Sequence, residues 1–141
     1  MMITYELHIF DKEGSGHYLL SIMRLLEAVD QVRPDALSGC WYILRGSWGH
    51  GNMVDSIEYS LQSKNQVRVN VMSLFRLLRT GHEQFNKAHF RKEIHGGLLE
   101  LGIEGRNRYL YVTSDDRAFL EAVAAQFTDT TLEEKGKANA K

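Results

Sequence analysis

Apolar and polar residues alternate with a period of two in four separate stretches, and this repetition limits the fold more than any other feature of the chain. Ile3, Tyr5, Leu7 and Ile9 interleave with Thr4, Glu6 and His8. Ile57, Tyr59 and Leu61 interleave with Glu58, Ser60 and Gln62. Val67, Val69 and Val71 alternate with Arg68 and Asn70, and Leu99, Leu101 and Ile103 form the fourth set. Each pattern predicts a strand with one face on a core and the other toward water. Two further runs, CWYIL at 40–44 and RYLYV at 108–112, are apolar on both sides of the pleat, and the first predicts a central strand covered on both faces. Turn residues Ser63 to Asn65 predict a hairpin joining 57–62 to 67–71, and EGRN at 104–107 predicts a second.

Helical spacing appears between these stretches. Tyr18, Leu19, Ile22, Leu25, Leu26 and Val29 predict a helix capped by Ser15 and ended before Pro34. Ser73 opens a second helix carrying Leu74, Leu77, Leu78 and Phe85, with Gly81 inside it. Ser114 opens a third, with Asp115 and Asp116 suited to the dipole of its first turn and Phe119, Val123 and Phe127 as its apolar stripe. The order predicts an α+β fold: a two-layer sandwich whose largely antiparallel sheet of about six strands carries helices on one face. A ferredoxin-like relative is one candidate, which the extra strands count against.

With 141 residues, 43% of them hydrophobic and 25% charged, the chain matches ordinary globular usage. The expected organisation is one domain over 1–128 and a charged, flexible tail over 129–141, because EEKGKANAK has no apolar anchor. Seventeen basic residues against 18 acidic ones leave a net charge of -1, so no whole-molecule field favours nucleic acid or an anionic membrane as partner. The single cysteine, Cys40, excludes an internal disulfide, and the first ten residues lack the form of a signal peptide. A cytoplasmic location is expected. No run of 18 apolar residues occurs, so no spanning helix is expected.

Chemistry-bearing residues are few. The segment GSWGHGN at 46–52 places Trp48, His50 and Asn52 among three glycines, an expected loop and the foremost candidate for partner binding. Two readings of Trp48 stand at this stage: an exposed aromatic anchor, or a side chain folded back over the sheet edge. GSGH at 14–17 offers an anion site at a helix start but lacks the dinucleotide and phosphate-loop patterns. Arg76, Arg79, Lys87, Arg91 and Lys92 form a locally basic segment with Phe85 and Phe90 interleaved, a candidate anion-binding set whose alternative is a solvated helix face. His82, His89 and His95 share that segment. On one helix, seven residues would hold the first two roughly 10 Å apart, too far for one ion, so no metal is expected. No cofactor motif is present, and Cys40 sits in an apolar strand where a thiol is usually inert.

The leading functional expectation is a small non-enzymatic protein-binding module that regulates or neutralises a protein partner, of the immunity, antitoxin or adaptor kind. A homodimer could use the same features. The alternative is a small hydrolase or nuclease with His50 or His82 as general base and Arg76 or Arg79 holding an anionic substrate.

Overall fold

A computed structural model describes residues 3–11, 21–94, 97–104 and 109–137, with the side chains of 136 and 137 outside that description. In chain order the elements are β1 (Ile3–Ile9), α1 (Ile22–Val32), a 3-10 turn (Pro34–Leu37), β2 (Trp41–Leu44), β3 (Trp48–His50), α2 (Asn52–Ser60), β4 (Gln66–Val69), α3 (Val71–Arg79), β5 (Gln84–Lys92), β6 (Leu99–Glu104), β7 (Tyr109–Ser114), α4 (Arg117–Ala124) and β8 (Thr130–Lys137). The eight strands form one sheet in the order β4-β2-β5-β6-β7-β1-β8, with β3 paired to β5 beside this path. Every pairing is antiparallel. The sheet therefore exceeds both the expected six strands and the split unit of a ferredoxin-like fold.

Register explains how the alternation builds the core. Leu132, Leu7, Val112, Leu101, Phe90, Ile43 and Val67 face one another across seven successive strands. This apolar row lies under α1, α3 and α4, whose Leu25, Leu26, Val29, Leu74, Leu78, Phe119 and Val123 complete the core. One residue along, the row reads Glu133, Glu6, Thr113, Glu100, Arg91, Tyr42 and Arg68. Because the side-chain period is two, this second row projects from the opposite face, away from the helices.

Several expected elements are replaced. Residues 57–60 belong to α2 and 61–62 to the turn after it, not to a strand, so β2 pairs with β4 across a helical connection where a hairpin was expected. Val54, Ile57 and Leu61 are buried, a helical spacing, while Tyr59 points outward. The helix expected from Ser73 to Phe85 begins at Val71, capped by Asn70, and stops at Arg79. Gly81, at φ 83°, takes the left-handed conformation that ends helices, and Gln84 begins β5. Asp116 rather than Ser114 caps α4, accepting from the backbone N–H of Phe119 at 3.0 Å. The expected tail over 129–141, of which 138–141 lie outside the described residues, is corrected over 130–137, which form β8, paired with β1 from Ile9↔Thr130 to Ile3↔Lys137. Its entry is fixed by Asp11, whose carboxylate accepts from the N–H groups of Thr128 and Asp129 and from the Thr128 hydroxyl. Ser15, Tyr18, Leu19, the loop 14–17 and most of the 104–107 turn lie outside the described residues.

Candidate functional site

The segment carrying Trp48 is part of the sheet, not a free loop. After Leu44 the chain leaves β5 for three residues and rejoins it, so Ile43 faces Phe90 and Trp48 faces Lys87. Ser47 closes the gap: its hydroxyl donates to the Leu44 carbonyl at 2.9 Å and accepts from the N–H of His89 at 3.1 Å. Gly49 is required by proximity, since a Cβ there would lie 1.9 Å from the Gln84 carbonyl oxygen. Gly51, at φ 117°, turns the chain into α2 and leaves room for the Glu83 carboxylate. That carboxylate accepts from the N–H groups of Met53 at 3.3 Å and Val54 at 3.0 Å, capping α2 from 30 residues away in sequence.

Trp48 is consequently held on a rigid base with 44% of its surface exposed, which decides between the two readings of its side chain in favour of exposure. His50 and Asn52 are exposed beside it. A groove of about 450 Å³ runs from Trp48 to α2, lined by Arg45, Ser47, Glu58, Leu61 and Gln62. Glu58 and Gln62 also line an adjoining smaller groove with Asp55 and Tyr59. Asp55, Glu58, Tyr59 and Gln62 follow the i, i+3, i+4, i+7 spacing of one helix face. Tyr59 is 75% exposed. Arg45 donates through Nε to the Leu61 carbonyl at 3.1 Å, whereas the carboxylates of Asp55 and Glu58 have no hydrogen bond or ion pair among the described residues.

The candidate anion-binding set does not converge. Arg76 and Arg79 are exposed on α3, in the helical layer, with the Arg79 guanidinium 4.2 Å over the Phe75 ring. Arg91 projects from the uncovered sheet face and bonds Gln66 Oε1 at 2.8 Å. Lys87 neighbours Trp48 in register. Lys92 is occupied: its Nζ donates to the carbonyls of Ala36 at 2.8 Å and Asp35 at 3.3 Å, and burial lowers its pKa despite the opposing Asp35 charge. His82 lies in the turn before β5 and His89 within β5, so the helical spacing argument between them no longer applies. His95 lies outside the described residues. Among the described residues no group of three or more His, Cys, Asp and Glu side chains is placed to hold a metal ion.

Sequence reasoning missed the network on the uncovered face. The Tyr111 phenol and His89 Nδ1 share a hydrogen bond of 2.5 Å, and His89 Nε2 lies 3.7 Å from Glu104. Burial, followed by the nearby Glu100, Glu104 and Glu6 carboxylates, raises the Tyr111 pKa far above the phenol range. Burial also lowers His89, outweighing the attraction of Glu104, so the imidazole is neutral at pH 7 and the close approach to Glu104 is not an ion pair there. Along the same face, Glu6 accepts from Lys135 at 2.7 Å and meets His8 at 2.5 Å. Burial works to raise Glu6, but these two partners prevail and lower it. Tyr109 lies against His8 with ring centres 4.8 Å apart and planes tilted by 43°. A phenol that keeps its proton and a neutral imidazole thus form a hydrogen-bonded pair on this face.

No family model, no curated protein and no solved structure matches the chain.

Proposed function

We propose that this protein is a small binding module that regulates or neutralises a protein partner, in the manner of an immunity, antitoxin or adaptor protein, and that it recognises the partner through the Trp48 groove and the outer face of α2. The observation that supports this reading is the placement of two exposed aromatic side chains, Trp48 and Tyr59, along two adjoining grooves that share Glu58 and Gln62, with the carboxylates of Asp55 and Glu58 unpaired among the described residues. Exposed aromatics beside a polar rim have the composition of binding hot spots. Asp55 and Glu58 favour a partner segment that presents arginine or lysine, which can pair with carboxylates and lie over aromatic rings.

The hydrolase or nuclease alternative requires His50 or His82 to work with Arg76 or Arg79. No hydrogen bond or ion pair joins these residues among those described, and the single-partner reading needs no such assembly. Affinity capture from the source cells with wild-type and W48A baits tests the proposal. A partner protein retained by wild type and lost with W48A is the expected result; equal retention by both baits would remove the groove from the account.

A further inference from the structure

We propose that the uncovered face of the sheet is a self-complementary surface on which a second copy of this chain docks. This goes beyond the Trp48 groove and does not depend on it. The polar row across that face is segregated by sign. Glu133, Glu6 and Glu100 occupy β8, β1 and β6, with Thr113 between them on β7, whereas Arg91 and Arg68 occupy β5 and β4 with Tyr42 between them on β2. The sign changes between β6 and β5.

A two-fold axis parallel to the strands and passing between β6 and β5 brings each half over the opposite half of the second copy. Glu100 then faces Arg91 of the second copy, Thr113 faces its Tyr42, and Glu6 faces its Arg68. The symmetry repeats each contact in reverse, as an isologous interface demands. An axis perpendicular to the strands would set like charges together, so the charge pattern selects one geometry.

Glu100 and Arg68 have no hydrogen bond or ion pair among the described residues and Arg91 is held only by the neutral Gln66, whereas Glu6 is already paired with Lys135 and His8, so the Glu100–Arg91 contact and its symmetry mate carry the complementarity. Packed sheets lie roughly 10 Å apart, a gap that facing arginine and glutamate side chains span together. Six strands overlap at about 4.8 Å spacing, and because β2 and β4 are only four residues long the overlap is roughly 450 Å² per copy, the size of a weak, transient interface. The dimer is therefore reversible and dependent on salt.

Sedimentation velocity on the full chain at about 200 μM, in about 20 mM and about 500 mM salt, tests this. The expected result is a dimer at low salt whose association weakens at least tenfold at high salt. R91E and E100R are each expected to be monomeric at low salt, and their equimolar mixture to form a heterodimer. R68E alone serves the same purpose if the change at Arg91 disturbs β5. W48A is expected to dimerise like wild type. A wild-type monomer at low salt, a dimer indifferent to salt and to both charge variants, or a dimer lost with W48A would each overturn the inference. The last result would move self-association to the Trp48 groove.

Discussion

The Tyr111 phenol and His89 Nδ1 meet at 2.5 Å over Gly102, the residue opposite both in the sheet register. Burial keeps this imidazole neutral in the folded state, whereas the unfolded chain protonates it near its ordinary pKa of about 6.5. The folded pKa lies below the unfolded one, so His89 contributes full stability above about pH 6.5, and that contribution falls as pH drops toward the folded value. Urea midpoints at about pH 7.5 and pH 5.5 are expected to differ by more in wild type than in H89Q. An identical pH dependence in the two proteins would show that His89 does not titrate against folding.

Gly102 is required by its neighbours. A Cβ at this position would lie 2.1 Å from the Ala88 carbonyl oxygen and 2.8 Å from the Tyr111 ring. G102A is expected to destabilise the fold by about 1–3 kcal/mol through overpacking. Y111F, which removes the phenol hydroxyl from its hydrogen bond with His89 without adding volume, is expected to cost about 1–2 kcal/mol. Thermal or urea unfolding measures both, and an unchanged midpoint in G102A would contradict the close packing of β5, β6 and β7.

Glu83 holds the start of α2 and thereby the Trp48 base. E83A leaves the N–H groups of Met53 and Val54 without their acceptor and is expected to cost about 1 kcal/mol. Amide exchange should rise first at Met53 and Val54. Exchange unchanged there would show that the cap carries no weight.

The first strand and the β6–β7 hairpin are legible in the sequence because their alternation is long and matches one covered face. Residues 57–62 misled for a physical reason: Ile57, Tyr59 and Leu61 fit period two, but only Ile57 and Leu61 are buried, and their spacing from Val54 is helical. The deciding contact, Glu83 to the start of α2, lies 30 residues away and leaves no local signal. The basic segment misled similarly, because lysines and arginines around Phe85 and Phe90 suit a helix surface as well as a strand with one wet face. Trp48 was legible as a candidate, but its exposure depends on the interruption between β2 and β3. The Tyr111–His89 network exists only through register between distant strands, which no single-strand pattern contains.

The sequence EEKGK carries no apolar anchor, yet an edge strand needs only its backbone bonds to β1 and one packed side chain, here Leu132. A chain ended at Asp129 is expected to lose about 2 kcal/mol or more, because β1 becomes an unpaired edge and Leu132 packing is lost. A chain ended at Lys137 is expected to match wild type. Equal stability of both truncations in urea would return residues 130–137 to the status of a dispensable tail.

The central claim is that Trp48 serves recognition more than folding. With close to half of its surface already exposed, W48A is expected to lower stability by less than about 1.5 kcal/mol, well short of the 3 kcal/mol or more that loss of a buried aromatic costs. The most direct measurement is the affinity of W48A for the protein captured by wild type, taken beside its urea midpoint. The account expects a loss of about 2 kcal/mol or more in binding, roughly 30-fold, with a midpoint close to wild type. Wild-type affinity in W48A, or a loss of binding that follows a collapse in stability, would contradict it.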